Sequence, residues 1–324
     1  MTTPTRLPQD AGAGAGWGAI PRVDLGVRPT PLERRTVDGV GLLIKRDDRS
    51  ADALGGNKVR ALERLLAGAG PGTRLLTVGA TGSTHALAVA TYGARLGASV
   101  EVVTWPQEAH DVARATAVAM HRQAAVTPAW SVADAYLRAA WRRFDRDVRW
   151  IPAGASVPLG ALGHVDAALE LANQLAADGI DPPEALVVPL GSGGTAAGLL
   201  AGLALAGLPT RVIGVQVVPR IVATHGRVLG LARRTLALLA RECGTRAPAL
   251  EPRRFAIERR GYGGAYGRET TGARAASELL RAAGGPRLDP TYSAKAFAEA
   301  LALARRSPDG SILFWLTFDA RWLP

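Results

Sequence analysis

The stretch "ALGGNKVRALERLL", residues 53–66, contains Lys58, one of three lysines in the chain beside Lys45 and Lys295. The chain has 39 Lys plus Arg, so arginine supplies nearly all of its positive charge. Lysine offers what arginine does not, a neutral amine that attacks carbonyls to form a Schiff base. The plain alternative is a solvated residue in the first turn of a helix.

Three other stretches could join Lys58 in chemistry. In "LGSGGTAAG", 190–198, residues Gly191, Ser192, Gly193, Gly194 and Thr195 lie between an apolar strand and a helix. Backbone N–H groups there gather an anion. Gly191, Gly193 and Ala196 also fit a dinucleotide fingerprint, which calls for an acidic residue about 20 positions on. The next strand offers Gln216 and Arg220 instead. A single terminal phosphate fits better, with close helix–strand packing as the structural alternative. In "VGATGSTHALAVA", 78–90, Ser83, Thr84 and His85 open a helix after a strand. They could hold a carboxylate, or simply be a Ser83-capped helix with a solvated histidine. In "LDPTYSAKAF", 288–297, Tyr292 stands in a turn before a helix, as an acid/base group or as a core-edge tyrosine. A lysine for imine formation, a phosphate cradle and a carboxylate cradle together point to pyridoxal phosphate acting on an amino acid.

Alternating strands and helices must position these groups. Apolar runs such as "TRLLTVGA", "ASVEVVTWP" and "ALVVPLG" read as buried strands. "NKVRALERLLAGA" has helical spacing, with Asn57 as the expected N-cap. Helices are expected over 107–123, 132–144 and 162–177, and helices are expected to dominate between the strand at 211–218 and the final strand "SILFWLTF". This alternation predicts an α/β fold of parallel sheets covered by helices. Two glycine-rich strand-to-helix turns, at 79–85 and 191–195, suggest two α/β halves with a cleft at their strand ends.

Composition excludes several function classes. The length of 324 residues suggests roughly two domains. A single cysteine, Cys243, rules out an internal disulfide and fits a reducing cytoplasm. The net charge of +11 is spread over many segments, without zinc-finger spacing, a basic zipper or an aromatic RNA-binding signature, so no nucleic-acid partner is expected. The longest apolar run, "AAGLLAGLALAGLP", is too short for a membrane span, so no membrane partner is expected either. The N-terminus lacks a secretory pattern, and residues 11–18 read as a flexible arm.

From "RPTPLERR" to "ILFWLTF" the chain resembles the D-cysteine desulfhydrase and aminocyclopropane-carboxylate deaminase group of pyridoxal-phosphate enzymes, which have the tryptophan-synthase-β-like fold (fold type II). "IKRDD" at 44–48 followed by "LGGNKVRALE" at 54–63 is the most specific match. "GALGHVDAALELANQ", "GSGGT", "AYGRET" and "DPTYSAKA" follow in order. The resemblance implies two open parallel-sheet domains, with the active site in the cleft between them. It implies a large cofactor domain from 1–60 and 170–324, a small domain from 61–169 inserted in it, and a cytoplasmic homodimer. Lys58 is the implied Schiff-base lysine and Tyr292 a catalytic tyrosine, with Ser83 beside them. Asn57, Thr84, Gly191 to Thr195, Ser293 and Thr317 are implied cofactor contacts. Ser83, Thr84, His85, Tyr266 and Tyr292 are implied substrate contacts.

The departures bear on the reaction. Gly82-Ser83-Thr84-His85 stands where the group usually reads Gln-Ser-Asn-His. Leu316-Thr317-Phe318-Asp319 stands where it usually reads His-Thr-Gly-Gly. Ser293 replaces the deaminase type's glutamate, which leaves the cofactor ring less electron-withdrawing unless Asp319 supplies a carboxylate. The expected activity is a lyase or deaminase acting on a small amino acid, removing a β-substituent to give keto acid and ammonia. Alternatives are β-replacement, a racemase of a specialised pathway, and a cofactor-binding relative without turnover. A nicotinamide-dependent oxidoreductase is disfavoured by the missing acid.

Overall fold

The computed structural model describes residues 20–322, apart from 53, 108–110, 146, 245 and 308–310. The arm expected at 11–18 lies outside the described residues. The chain begins with a hairpin of β1 (Leu32–Val37) and β2 (Val40–Arg46), then α1 (Asn57–Leu65). It continues through β3 (Arg74–Ala80), α2 (Thr84–Arg95), β4 (Ser99–Trp105), α3 (Asp111–His121), β5 (Ala125–Pro128), α4 (Val132–Arg142) and β6 (Val148–Ile151). After α5 (Pro158–Ala177) come β7 (Ala185–Leu190), α6 (Gly194–Leu205), β8 (Arg211–Gln216), α7 (His225–Cys243) and β9 (Phe255–Glu258). Two helices, α8 (Thr271–Ala282) and α9 (Ser293–Arg306), precede the last strand, β10 (Ile312–Leu316).

The strands form two sheets. One runs β1-β2-β10-β7-β8-β9 and is parallel except for the β1–β2 hairpin. The other runs β5-β4-β3-β6 and is parallel throughout. Every residue of β7 and β10 is buried, as strands covered on both faces require. The apolar faces of α5, α6 and α7 cover one side of the larger sheet, and those of α8 and α9 the other. The smaller sheet lies between α2, which packs with α1, and α4. The apolar run expected to be a buried helix is α6, packed against α5.

Some boundaries differ from the sequence expectation. Strand β9 falls in the stretch where helices were expected to dominate; it has four residues, too few for a period to show. Helix α5 starts at Pro158 rather than 162, because proline suits the first turn, where its missing N–H costs nothing. Asn57 is not the N-cap of α1 but its first residue. Gly56 takes the cap position at φ 132°, where a Cβ would come within 2.3 Å of Thr317 O.

A buried ionic cluster fixes α1 against the larger sheet. Arg60 is fully buried and donates to Asp47 at 2.7 and 3.0 Å and to Glu170 of α5 at 3.0 and 3.1 Å. Trp315 of β10 donates its indole N–H to Asp47 at 2.9 Å. Lys45 of β2 donates to Glu170, Gln174 and Thr30 O at 2.6–2.7 Å. Buried charges are tolerated only when paired and hydrogen-bonded in this way. The cluster thereby sets the position of Lys58, two residues before Arg60.

Candidate active site

The three lysines have different surroundings. Lys45 is held by Glu170, and Lys295 donates to Tyr262 O at 2.9 Å. Lys58 has no charged or hydrogen-bonding partner among the described residues, and burial alone lowers its pKa to about 8. It stands at the start of α1 and lines a cavity with Asn57, Thr84, Thr317 and Phe318. Two strand ends, β10 and the turn after β3, thus meet the first turn of α1.

The backbone of 317–319 clamps the loop before Lys58. Asn57 N–H donates to Thr317 O at 2.9 Å, and Asp319 N–H to Gly55 O at 3.2 Å, with an antiparallel bridge between Gly56 and Phe318. Both carboxylate oxygens of Asp319 accept from Arg321, at 2.7 and 2.8 Å. Asp319 therefore offers no unpaired carboxylate to a bound ring.

At the larger sheet, Gly193 adopts φ 94° and turns the chain from β7 into α6. Ser192 and Ser156 share a hydroxyl–hydroxyl bond of 2.6 Å, and Ser156 Oγ accepts from Gly194 N–H at 3.1 Å. Thr195 Oγ1 accepts from Asn57 Nδ2 at 2.7 Å and lies 3.4 Å from His164 Nε2. A Cβ on Gly191 would meet nothing within 4 Å, so the turn is open at its start. The N-terminus of a twelve-residue helix, here with no side-chain cap from Gly193, suits a phosphate.

At the turn after β3, Ser83 Oγ accepts from Ala86 N–H at 3.2 Å and caps α2. His85 is not among the residues lining the Lys58 cavity: it is buried, with Nε2 3.2 Å from Thr77 Oγ1, and burial first, then the Lys58 charge, lowers its pKa to about 3. Thr84 faces the cavity and hydrogen-bonds the hydroxyl of Tyr292. Tyr292 also shares a short hydroxyl–hydroxyl bond with Tyr266, their rings edge to face. Burial first, and then Tyr266, push the Tyr292 pKa well above the ordinary value. Tyr292 is thus a protonated donor at neutral pH. Asp289 positions it by accepting the N–H groups of Tyr292 and Ser293 at 2.7 and 3.0 Å.

Ser293 lies at the start of α9, fully buried beside Asp289, and its Oγ makes no well-aligned hydrogen bond among the described residues. A buried hydroxyl of this kind calls for a partner. Sequence reasoning missed Ser156, His164 and Asp289. Ser156 reads as an ordinary residue before a proline-started helix, and His164 as one polar residue inside an apolar helix.

The pyridoxal-phosphate dependent enzyme family matches residues 23–317. The chain belongs to this family. It is 39% identical over 319 residues to nocardicin C-9' epimerase of Nocardia uniformis subsp. tsuyamanensis, covering 94% of each chain. It is 34% identical to D-cysteine desulfhydrase of Serratia proteamaculans (strain 568), covering 91% of this chain and 92% of that one. A crystal structure of an ACC deaminase homologue superposes with a TM-score of 0.76 at 27% identity, covering 94% of each chain. The cofactor is pyridoxal phosphate, and the unpartnered amine of Lys58, the open 191–195 turn and the orphaned hydroxyl of Ser293 fit it. The fold expectation, an α/β enzyme of fold type II, holds. No helix among the described residues is long and apolar enough to cross a membrane.

Proposed function

We propose that this enzyme labilises the α-hydrogen of an amino acid, with Lys58 as the base and Tyr292 as the acid. One observation carries the reading. A desolvated, unpartnered lysine lines a cavity with Thr84, and Thr84 hydrogen-bonds a tyrosine whose pKa is raised. Lys58, Ser293, Asn57, Thr84 and Thr317 would hold the cofactor, with its phosphate on Gly191 to Thr195. When bound, pyridoxal phosphate supplies an electron-withdrawing ring that acidifies the α C–H of an attached amino acid.

The protein groups then divide the proton work. With a pKa of about 8, Lys58 has an appreciable neutral fraction near physiological pH and takes the proton. Tyr292 keeps its proton until a developing negative charge draws it away, and Tyr266 hydrogen-bonds the oxygen left behind. Ser83 and Thr84 with the local backbone would hold the substrate carboxylate, next to the N-terminus of α2.

Two outcomes share this first step. In desulfhydrase-like lyase chemistry a β-substituent leaves, and keto acid and ammonia follow. In epimerisation the proton returns on the other face, a reading favoured by the 39% identity to an epimerase. α-Hydrogen exchange in deuterium oxide, with keto acid and chiral analysis of the products, tests the shared step and separates the outcomes. Loss of exchange in Lys58→Ala supports the reading, and exchange at the wild-type rate in that variant overturns it.

We also read the larger sheet as a cofactor domain and the smaller as an inserted domain, in a cytoplasmic homodimer. The two sheets and the lone cysteine support this, and light scattering tests the dimer.

A further inference from the structure

Lys295 is buried on α9, three residues after Tyr292, and belongs neither to the cofactor site nor to the Arg60 cluster. Its Nζ donates to Tyr262 O at 2.9 Å and lies 5.9 Å from the centre of the Tyr262 ring. Among the described residues no ion pair holds it: burial lowers its pKa, and the charge of Asp289 opposes that. A buried ammonium with a carbonyl as partner is costly, and an apolar side chain would serve stability alone as well or better. What the bond holds is the 259–270 loop. Tyr262 closes a 3₁₀ turn, Arg260–Tyr262, and left-handed Gly263, Gly264 and Gly267 flank Tyr266 on the way to α8. None of residues 259–270 is fully buried, and none packs into the cores on either side of the larger sheet. The ion pairs of the loop, Arg260 with Glu258 and Glu299 and Arg274 with Glu269, use exposed arginines and contribute little.

We propose that Lys295 is a positioning residue: it pins the Tyr262 turn to α9 so that the next tyrosine of the loop, Tyr266, meets Tyr292. This rests on the proton chemistry proposed above, in which Tyr292 is the acid. Tyr292 and Lys295 stand at the same end of α9, so one helix carries both the acid and the anchor of its partner. The loop is joined there twice, at Tyr262 O by Lys295 and at the Tyr266 hydroxyl by Tyr292. Lysine suits this task better than the arginine the chain prefers. A compact donor on a flexible stem reaches one carbonyl, where a guanidinium fork would leave more N–H groups unpaired. Without the Lys295 bond, Tyr266 is free to leave Tyr292, and the oxygen left by proton transfer loses its donor.

The test is a double-mutant cycle on the cofactor-loaded enzyme, with Lys295→Met, Tyr266→Phe and the two combined. It reads the rate of α-deuterium incorporation into D- and L-alanine, D- and L-phenylalanine and D-serine, beside the visible band and the melting temperature. Lys295→Met should slow exchange about tenfold, the scale of one hydrogen bond to a charged group, and keep the visible band. The double variant should be no slower than the slower single variant, within about twofold, because both changes remove the same contact. Lys295→Gln carries the same cycle if Lys295→Met folds poorly. Exchange at the wild-type rate in a folded Lys295 variant would overturn the proposal. So would losses that multiply in the double variant, since a merely structural lysine acts independently of Tyr266. Tyr266→Phe without effect, with Tyr292→Phe still slow, would overturn it and leave the proton chemistry standing. A wild type that carries cofactor but exchanges no α-hydrogen of any of these amino acids would overturn the proton chemistry itself, and this inference with it.

Discussion

Asn57 donates from Nδ2 to Thr195 Oγ1 at 2.7 Å, so the residue before Lys58 is tied to the end of the 191–195 turn. The tie spans 138 residues of sequence and joins the start of α1 to the start of α6. It couples the group that would bond the cofactor covalently to the one that would hold its phosphate.

Asn57→Ala removes that tie and leaves Thr195 with only the long contact to His164. A hydrogen bond of this kind contributes about 1 kcal/mol. Cofactor affinity should fall about five- to tenfold, read by dialysis against buffer and recovery of the visible band. Unchanged retention would show that the tie plays no part in holding cofactor.

The pKa of Lys58, lowered to about 8 by burial, gives a pH dependence. The neutral amine is the reactive form, so pyridoxal phosphate capture by the cofactor-free protein should speed up as pH rises, with a midpoint near 8. An ordinary lysine would show a midpoint near 10.5. Between these values the unfolded chain binds more protons than the folded one, so Lys58 makes the cofactor-free protein more stable as pH rises from 8 to 10.5. Stopped-flow absorbance at several pH values checks the first expectation, and urea titrations the second.

Tyr292→Phe removes the donor and leaves the ring. α-Hydrogen exchange or product formation should fall by roughly 10²- to 10⁴-fold, the usual contribution of a positioned acid, with the visible band retained. Tyr266→Phe should cost less, because it removes only the partner of that donor. Single-turnover rates with a deuterated amino acid distinguish the two variants.

Arg60→Met leaves Asp47 and Glu170 buried without their main cation, though Lys45 still serves Glu170. Breaking a buried pair on one side costs about 3–5 kcal/mol. The melting temperature should fall by at least about 5 °C. A variant as stable as wild type would show that the cluster does not hold α1.

Much of this arrangement is legible in the sequence, for identifiable reasons. Strands such as β7 and β10 announce themselves because both faces are buried and every residue is apolar. Lys58 stands out because lysine is scarce here, and the 191–195 turn because its glycines follow a strand. The rest depends on contacts distant in sequence. Asn57 looks like a helix cap until Thr317 O, 260 positions away, is seen to require glycine before it. His85 follows Ser83 and Thr84, yet it is buried against Thr77, a strand residue eight positions earlier. Ser156 and Asp289 act through loop geometry that leaves no periodic trace.

The central claim is that Lys58 carries the cofactor, and borohydride reduction of the purified protein followed by peptide mapping tests it most directly. The account predicts a visible absorption band that reduction bleaches, a pyridoxyl group recovered on Lys58 and neither Lys45 nor Lys295, and no such band in Lys58→Ala. A protein that gains no band when given pyridoxal phosphate, or a label on either of the other two lysines, would contradict it.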